Sequence, residues 1–528
     1  MKKRIILSLL LVVAVATSSY FLKRSTLPFA LEPANNPDKP LDISERSNTD
    51  NALPFEVESP PNIVIIMADD LGWNDVGYHG SEIQTPNLDQ LAEGGVELNR
   101  FYAHPSCSPT RSSLMTGKSP VRLGVFAPLS KNNPRGLPIE ETTLAEHLKV
   151  RGYQTALVGK WHLGGRSAEY TPNARGFDYF YGNLMGGVGY WDHVHGGGYD
   201  LQRNGRVVRD NGYITHLTAK EAVDVIETRE QGRPLFLFAS FNAPHLPNEA
   251  PAEAVKKYES IENENRRIHA AMVSEFDGAV GQIVSALERQ NMLENTLIWF
   301  MSDNGGLIPK SAVVNLLPDW TMEMITEKIV GENVDMTPRF LEFSRIQLTQ
   351  GASDNSPLQG GKTSLWEGGM RVPSILYWKG VLQPSSSEQM IAVQDVLPTL
   401  LSLSGEGPVS DETDGRSVWS ALTGGALSPN PVVTVSGPGG PDFSVILYPW
   451  KLVKASDGDV SLYNVEADPT ENHELSQNYP IITQQLEEYL DNFPRGENVA
   501  VPYQDIVNDS DFFGGEEDRA PWSEIASD

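Results

Sequence analysis

Short, unbroken apolar runs alternate along this chain with amphipathic stretches, and the alternation predicts the fold. Four of these runs have apolar interiors and are followed by polar residues; they read NIVIIMA, TALVG, PLFLFAS and TLIWFMS. Runs rich in Val, Ile and Phe without polar alternation are typical of strands that are covered on both faces. We therefore predict a buried sheet whose strands are mostly parallel.

Helical segments with clear start signals separate these strands. In TPNLDQLAEGG, Thr85 is predicted as the N-cap and Pro86 as the first helical residue. In TTLAEHLKVRG, Thr143 and Glu146 match a capping box, and another helix is predicted over residues 264–290. Strands that alternate with helices indicate an α/β fold, with helices flanking the sheet on both faces.

The pattern changes after about residue 430. VVTVSG, FSVILYP, WKLVKA and VSLYNV are short strand-like runs separated by turns, and ITQQLEEYLDNF is a single late helix. We predict a large α/β domain over residues 61–429. A smaller α+β subdomain, an antiparallel sheet with one helix, is predicted over residues 430–528.

The first residues have the pattern of an export signal. MKKRIILSLLLVVAVATSSYFLKRS has a basic start, an apolar run and the small-residue step AVA. We predict a signal peptide over residues 1–24 and a flexible leader over residues 25–60, hence an exported protein that is periplasmic or secreted. The apolar stretch approaches the length that spans a bilayer, so an uncleaved anchor is the alternative.

The charge excludes one class of partner. The 528 residues carry a formal net charge of −28, from 41 Lys and Arg against 69 Asp and Glu. Such a chain repels polyanions, which argues against nucleic acid and anionic membranes as partners. An anionic substrate would have to be attracted by a local cluster of Lys, Arg, His and metal.

Polar side chains follow the predicted strands at the point where each strand ends. In α/β sheets the ligand site lies beyond the carboxyl ends of the strands. Carboxylate and amide oxygens there favour Ca²⁺, with Mg²⁺ as the weaker choice, whereas zinc would prefer His or Cys. The residues after the strand runs are Asp69 and Asp70, Lys160 and His162, His245, and Asp303 and Asn304.

Cys107 is the single cysteine of the chain and cannot form an internal disulfide. Three interpretations are open: an inert buried thiol, a thiolate nucleophile, or a residue that is modified after synthesis. Ser108 is predicted to cap a helix that begins at Pro109, with Arg111 in its first turn. A helix start beside an arginine would favour an anion next to Cys107.

The segment around Cys107 resembles a family signature. Residues 107–111 read CSPTR, which is similar to the C-x-P-x-R signature of type I sulfatases in the alkaline phosphatase superfamily. Further blocks resemble that family in the same order: MADDLGWNDVGYHG, TPNLDQLAEGGV, GKWHLG, NAPH, SDNGG, GGKTSLWEGGMRVP and DVLPTLLSLSG. The likeness covers about residues 60–480, and the block GGKTSLWEGGMR with the late APW resembles an arylsulfatase B-like carbohydrate sulfatase branch.

This resemblance implies an enzyme that hydrolyses sulfate monoesters on carbohydrate, with a 4-O-sulfated galactose-type sugar as the substrate. In the family a modifying enzyme oxidises the cysteine to formylglycine, whose hydrate is the nucleophile and which is regenerated when sulfate leaves. The implied Ca²⁺ ligands are Asp69, Asp70, Asp303, Asn304 and the formylglycine at 107. The other implied roles are Arg111 on the hydrate, His162 in collapse of the intermediate, Lys160 on a sulfate oxygen, and His245 and Lys362 on the sulfate and the leaving oxygen.

Two segments depart from the family pattern. The loop NLMGGVGYWDHVHGGG lacks a serine that would touch the sulfate. His193 and His195 are the candidate substitutes for that contact. Tyr190 and Trp191 equally suit a rim that binds sugar. About fifty residues, 307–356, are inserted before GGKTSLWEGG, and they include Trp320, Arg339 and Arg345. We expect this insertion to shape sugar subsites or a contact between subunits of a homo-oligomer.

Two other functions remain alternatives. A phosphomonoester or phosphonate hydrolase would share the fold and the metal. A catalytically inactive relative that binds sugar would lack part of the polar set, whereas this chain keeps every member from Asp69 to Lys362.

Overall fold

The computed structural model describes residues 39–41, 60–131, 133–195, 198–308, 346, 349–405, 413–425, 427, 429–437 and 441–500. The predicted export signal, most of the predicted leader and residues 501–528 lie outside the described residues. So does most of the insertion, including Trp320, Arg339 and Arg345. Among the described helices, none combines the length and the apolar composition needed to cross a bilayer.

Eighteen strands occur in the described part of the chain. In chain order they are β1 (Asn62–Ala68), β2 (Val96–Leu98), β3 (Phe101–Tyr102), β4 (Gln154–Gly159), β5 (Tyr179–Gly182), β6 (Val194–His195), β7 (Gly198–Tyr199), β8 (Gln202–Arg203), β9 (Arg206–Val207), β10 (Leu235–Ser240), β11 (Thr296–Ser302), β12 (Ser374–Tyr377), β13 (Ser385–Ser387), β14 (Ile391–Ala392), β15 (Val432–Ser436), β16 (Asp442–Leu447), β17 (Trp450–Lys454) and β18 (Val460–Asn464). Ten of them form one sheet in the order β13–β2–β12–β11–β1–β10–β4–β5–β8–β9. The central strands β11, β1, β10, β4 and β5 are parallel, which confirms the predicted mixed, mostly parallel sheet.

The α-helices of the described chain flank this sheet and the C-terminal one. They are α1 (Pro86–Gly94), α2 (Cys107–Thr116), α3 (Pro120–Leu123), α4 (Leu144–Val150), α5 (Ile214–Thr228), α6 (Ala252–Lys256), α7 (Glu264–Arg289), α8 (Glu367–Met370), α9 (Val396–Leu403), α10 (Trp419–Leu422) and α11 (Pro480–Asn492). The predicted capping box at Thr143 and Glu146 is present at α4. Pro86 opens α1 as predicted, but the Thr85 hydroxyl does not cap it, because that hydroxyl accepts from Gly77 and donates to Asp89.

Strand β1 shows why the central strands are apolar throughout. Its side chains alternate between two hydrophobic clusters: Ile63 and Ile65 lie in one, and Val64 and Ile66 lie in the other. Every residue of β1 is buried. A strand covered by helices on both faces has no solvent-facing side, so it shows no polar alternation.

The C-terminal part is a small antiparallel sheet, in the order β15–β16–β17–β18, with α11 packed on it. Val433, Leu452 and Leu486 belong to the cluster between this sheet and α11. The sheet is also joined to the large domain, since the Ser119 hydroxyl donates to the Val433 carbonyl at 2.7 Å. Leu41, within the predicted leader, donates its backbone N–H to a side-chain oxygen of α11 at 2.8 Å and packs against the same cluster.

A buried ionic group connects the two parts more firmly. Lys451 of β17 lies 2.6 Å from a carboxylate oxygen of Glu471 and 3.3 Å from one of Glu367, and none of the three side chains is exposed. The Tyr102 hydroxyl donates to the other oxygen of Glu367 at 2.7 Å. Burial raises the pKa of Glu471 to about 7 despite the opposing effect of Lys451. One lysine thus compensates two buried carboxylates that come from different parts of the chain.

Replacing Lys451 by methionine leaves Glu367 and Glu471 buried without a counter-charge. We expect Lys451→Met to lower the free energy of unfolding by about 3–5 kcal/mol, measured by urea denaturation at pH 7.5. The matched control is Lys454→Met on the same strand. Lys454 pairs with Glu487 and Asp491 at the surface, so its loss should cost about 1 kcal/mol or less. An equal loss of unfolding free energy in the two variants would show that the buried ionic group contributes no more than the surface pairs, and would contradict this prediction.

His104 makes a second connection, just before α2. Its ring nitrogens lie 2.8 Å from the hydroxyl oxygens of Thr434 in β15 and of Ser113 in α2. The side chain is fully buried, and burial lowers its pKa from 6.5 to about 3. The folded protein therefore holds this imidazole neutral at pH values where the unfolded chain protonates it.

This difference predicts a pH dependence of stability. Between pH 6.5 and about 3 the unfolded chain binds one more proton at His104, so stability falls as the pH is lowered through that window. We expect His104→Gln to flatten the slope by up to about 1.4 kcal/mol per pH unit, measured by urea unfolding between pH 7 and pH 4.5. Thr434→Val is the control: it removes a hydrogen bond but should keep the slope. A slope that His104→Gln leaves unchanged would contradict this assignment.

Candidate active site

The register of the parallel strands brings their polar ends to one edge of the sheet. Ala68 at the end of β1 pairs with Ser302 at the end of β11, and Gly159 at the end of β4 pairs with Ser240 of β10. The residues that come next in the chain therefore start at the same level. They are Asp69 and Asp70 after β1, Lys160 and His162 after β4, His245 after β10, and Asp303 and Asn304 after β11.

Cys107 lies among these side chains, at the first position of α2. It is buried, and its sulfur lies 3.5 Å from a carboxylate oxygen of Asp69. Burial raises the pKa of the thiol well above its ordinary value, and the carboxylate of Asp303 adds to the effect. The protein therefore disfavours a thiolate here, which weakens the interpretation of Cys107 as a simple thiol nucleophile.

The start of α2 differs from the sequence expectation. The predicted cap at Ser108 and first turn at Pro109 are wrong, because α2 already begins at Cys107, with Ser106 before it. The Ser108 hydroxyl has another use: it donates to the carbonyl of His162 at 2.8 Å and accepts from the N–H of Leu129 at 3.0 Å. Ser108 thus ties the first turn of α2 to the loop that follows β4.

Three carboxylates at this edge each contact one cation. Asp69 and Asp70 both follow β1 and Asp303 follows β11, whereas the three cations come from α2 and from other loops, so no cationic side chain contacts a carboxylate of its own segment. Equal numbers of opposite charges make the buried cluster electrically near neutral. The pairs are Lys160 Nζ with Asp69 Oδ2 at 2.6 Å, Lys362 Nζ with Asp70 Oδ2 at 2.8 Å, and Arg111 Nε with Asp303 Oδ2 at 3.0 Å.

The two adjacent aspartates have opposite pKa shifts. Burial raises the pKa of Asp69 to about 7, with the carboxylates of Asp303 and Asp70 adding to the rise against Lys160. Burial also opposes ionisation of Asp70, but Lys362 and His245 outweigh it and hold the pKa of Asp70 below its usual range. The site therefore lacks positive charge at Asp69, which a proton or a metal cation would supply.

The residues present fit a divalent cation. Ligand atoms of Asp69, Asp70, Cys107 and His245 all lie within 4.8 Å of one another. The side-chain oxygen of Asn304 is buried and has no hydrogen-bond partner among the described residues, so it is free to face an ion. Several carboxylate oxygens with one amide oxygen are the donor set of Ca²⁺ or Mg²⁺.

His162 is held so that one ring nitrogen remains available. Its Nε2 lies 3.0 Å from the Leu129 carbonyl, which can only accept, so Nε2 carries the hydrogen. Its Nδ1 is buried and has no partner among the described residues. Burial lowers the pKa of His162 well below 6.5, and Lys160 and Arg111 lower it further. A neutral His162 therefore presents Nδ1 as a proton acceptor.

His245 is also neutral at ordinary pH. Its Nδ1 lies 2.7 Å from the Leu246 carbonyl, and its Nε2 lies 3.7 Å from a carboxylate oxygen of Asp70. Burial lowers its pKa to about 3, with Lys362 adding to the effect. Because Nδ1 holds the hydrogen, Nε2 can donate a proton only after the ring has gained one, a change that a bound anion would favour.

The loop after β5 contributes backbone rather than a serine. A Cβ atom at Gly186 would lie 2.6 Å from the His162 ring, and one at Gly187 would lie 3.0 Å from His245 Nδ1. A side chain at Gly186 would therefore displace the His162 imidazole, and one at Gly187 would press on that of His245. Of the two substitutes that the sequence suggests, His193 has Nε2 on the Gly212 carbonyl and Nδ1 near a tyrosine hydroxyl. His195 lies near the site, and burial together with Lys131 and Lys160 lowers its pKa to about 4.

Several supporting residues were missed by sequence reasoning. Ser240, the last residue of β10, accepts from Arg111 Nη1 at 2.6 Å, and that nitrogen also donates to the Lys160 carbonyl at 2.9 Å. Asn242 donates to the side-chain oxygen of Asn183 at 2.8 Å and so links two of the site loops. Their position at or just after the end of a strand was the available signal, but small polar residues there are ordinary turn residues.

The loop that carries Lys362 is fastened on two sides. The Lys362 N–H donates to the Gly306 carbonyl at 3.1 Å, and the next residue, Thr363, donates its N–H to the Pro105 carbonyl at 2.6 Å. Further along, Arg371 donates to the Asn99 carbonyl at 2.7 Å and lies over the Trp73 ring, contacts that fit a structural role. Both ends of the insertion approach the site as well, since the Gly306 N–H donates to Asn355 at 2.9 Å.

Comparisons with known proteins agree on one family. The family profile described as Sulfatase matches residues 61–406, more than half of the chain. Arylsulfatase J of Mus musculus is 32% identical over 505 residues, covering 84% of this chain and 77% of the relative. N-acetylgalactosamine-6-sulfatase of Canis lupus familiaris is 32% identical over 403 residues, covering 72% of this chain and 69% of the relative.

A solved structure shows the same likeness in three dimensions. The crystal structure of Ps i-CgsB in complex with k-i-k-neocarrahexaose superposes with a TM-score of 0.72 at 30% identity. The match covers 84% of this chain and 95% of that one. The profile match and the extent of the relatives, together with the strand-end site described above, establish that the chain belongs to the sulfatase family, in the alkaline phosphatase superfamily, and is a sulfuric ester hydrolase.

Proposed function

We propose that this enzyme removes sulfate from sulfated carbohydrate, using a formylglycine hydrate formed from Cys107 and a bound Ca²⁺ ion. The observation that carries the proposal is the buried Cys107 at the start of α2, surrounded by three carboxylate–cation pairs and two neutral imidazoles. The substrate class is supported by relatives, one named for N-acetylgalactosamine sulfate and one solved with a neocarrahexaose. We propose a sulfated galactose-type sugar on this basis.

A formylglycine at position 107, installed by a formylglycine-generating enzyme, would supply a geminal diol that attacks sulfur and later expels sulfate by returning to the aldehyde. A plain hydroxyl at this position would remain sulfated after a single attack. His162 Nδ1 has the free lone pair needed to accept the diol proton during that return. Arg111 is anchored on Asp303 and Ser240 beside position 107, which suits it to orient the hydrate.

The remaining residues stabilise charge on the sulfate and on the leaving oxygen. Lys160 contacts the carboxylate of Asp69, and Lys362 contacts that of Asp70. Each lysine would also stabilise the negative charge on the oxygens of a bound sulfate. His245 would protonate the departing sugar alkoxide from Nε2 once the bound anion has raised its pKa. A divalent ion held by Asp69, Asp70, Asp303 and Asn304 would polarise the sulfate and favour the ionised form of the hydrate.

Charge balance explains how a protein of net charge −28 can bind an anion here. The three buried carboxylates are matched by Lys160, Lys362 and Arg111, so the side chains alone form a near-neutral cluster. A divalent cation therefore leaves the site with two positive charges in excess. That local excess would hold a sulfate ester against the repulsion of the remaining surface.

The direct test is sulfate release from defined oligosaccharides that carry 4-sulfated galactose or 6-sulfated N-acetylgalactosamine. We expect release from at least one galactose-type substrate, measured by ion chromatography, and none from Cys107→Ala, which should still bind the sugar. Cys107→Ser should take up one sulfate group and stop, a mass change visible on the intact protein. No release from any substrate, with formylglycine confirmed by mass spectrometry, would overturn the proposal.

A comparison of rates on two esters, made with the same protein, distinguishes a sulfatase from a phosphomonoesterase or phosphonate hydrolase. Rates on the sulfate ester and the phosphate ester of one alcohol should favour the sulfate. Once the hydrate at position 107 is ionised, one of the two excess positive charges is already balanced, and the remaining charge matches a sulfate monoester of charge −1 better than a phosphate monoester dianion. A preference for phosphate would favour the alternative. Sugar binding without turnover by fully modified protein would instead favour the inactive relative.

The metal site predicts a cation-dependent stability. In protein stripped with EDTA, Ca²⁺ at a hundred times its Kd should raise the free energy of unfolding by about 2.7 kcal/mol, with Mg²⁺ giving a smaller rise at equal concentration. Asp69→Asn should abolish the rise. The control Asp277→Asn removes another buried carboxylate, one that accepts backbone N–H groups of α1, and should keep the rise. Mg²⁺ outperforming Ca²⁺ would change the assigned ion.

A further inference from the structure

Trp191 stands out on the surface beside the site. Its side chain is 51% exposed, and among the described residues it is the one exposed aromatic side chain. Its neighbour Tyr190 is fully buried. An exposed tryptophan at the end of an otherwise buried aromatic group offers a ligand a flat apolar face.

A ladder of aromatic rings connects Trp191 to the site. Its ring centroid lies 5.1 Å from that of Tyr213, which in turn stacks on Tyr190 at 5.1 Å. The Tyr190 hydroxyl lies 2.8 Å from the carbonyl of His245 and 2.9 Å from that of Asn242. The ladder therefore ends on the backbone that positions His245, the residue next to the scissile bond in the proposed reaction.

Glu249 holds this ladder rigid. Its carboxylate accepts from the Tyr190 N–H at 2.7 Å, and its carbonyl accepts from the Tyr213 hydroxyl at 2.9 Å. A ring held in this way loses little conformational entropy when a ligand packs on it. Trp191 packs on the held ring of Tyr213, and about half of its own side chain stays exposed for contact.

Chain length places Trp191 within reach of a bound oligosaccharide. Gly187 lies against His245, and Trp191 follows four residues later, so at most about 14 Å of chain separates them. The segment that carries the exposed ring thus starts at the site itself. A sugar chain that extends out of the site by a few rings would reach it.

We propose that Trp191 is a stacking platform for a pyranose ring of the substrate, beside the ring that carries the scissile sulfate. The inference rests on the proposed function. A flat indole suits the C–H face of a sugar ring, and as a neutral contact it adds affinity without relying on charge. This matters because a chain of net charge −28 repels a polysulfated ligand everywhere outside its cationic centre.

The test compares long and small substrates. In Trp191→Ala the KM for a sulfated oligosaccharide should rise about tenfold, the strength of a good aromatic contact, while kcat stays within twofold. The KM for a small aryl sulfate should change far less, because it does not reach the platform. Trp191→Phe should recover most of the oligosaccharide KM. The ratio of variant to wild-type KM should not change with salt.

The control is Val150→Ala, which alters an even more exposed apolar side chain at the end of α4, before β4 begins. It should leave both KM values unchanged. An unchanged oligosaccharide KM in Trp191→Ala would overturn the platform, as would an equal loss on both substrates, which indicates a structural role. A shift in oligomeric state, measured by sedimentation, with no change in KM would overturn it in favour of a contact between copies.

Binding distinguishes this proposal from the function on which it rests. If the wild type cleaves aryl sulfate but no carbohydrate, the proposed function fails. Calorimetry then tests the stacking role of Trp191 separately, by comparing oligosaccharide binding to Cys107→Ala with binding to the double variant that also carries Trp191→Ala. Oligosaccharide binding that weakens about tenfold in the double variant supports it, and binding that is absent or equal in the two overturns it.

Discussion

Three buried carboxylates at one edge of the sheet are the constraint on which the site depends. Asp69, Asp70 and Asp303 are brought together by backbone register, and like charges at close range in a dry environment are strongly unfavourable. Compensation must come from other segments of the chain. Lys160, Lys362 and Arg111 provide it, and the raised pKa of Asp69 shows that a further positive charge is still favoured there.

The same constraint explains why distant segments converge. Lys362 reaches Asp70 from a loop far along the chain, and that loop leads into α8, whose first residue Glu367 is compensated by Lys451 of the C-terminal sheet. The C-terminal sheet therefore helps to support the site. A buried lysine shared between Glu367 and Glu471 makes the two parts of the protein depend on one another, because separating them would leave charge uncompensated.

Hydrogen bonds and a buried, cationic environment together prepare the two imidazoles for acid–base chemistry. Backbone carbonyls next to His162 and His245 decide which ring nitrogen carries hydrogen, and burial among cations keeps both rings neutral. One imidazole therefore presents a free lone pair, and the other needs the substrate's negative charge before it can donate from the opposite nitrogen. Asymmetry of this kind assigns different tasks to two residues of the same type.

Much of the large domain could be predicted from the chain itself. Unbroken apolar runs identified β1, β4, β10 and β11, because each is covered on both faces. The polar residues after these strands meet at one edge of the sheet, and their roles in the reaction stay a prediction. The antiparallel strands beside the parallel centre, such as β12 between β11 and β2, were not predicted, since such short strands have no distinctive pattern. The start of α2 was predicted wrongly, because Ser108 was expected to cap the helix. Its hydroxyl instead donates to the carbonyl of His162, which is far away in sequence.

The sequence by itself determined the order of strands and helices, the family and the residue types available for chemistry. These follow from local periodicity and from motifs a few residues long. Only the tertiary structure decided which cation faces which carboxylate, which imidazole nitrogen is free, and that Trp191 lies at the end of an aromatic ladder leading to His245. Those features depend on contacts between segments tens to hundreds of residues apart, and such contacts exist only once the sheet has aligned its strand ends.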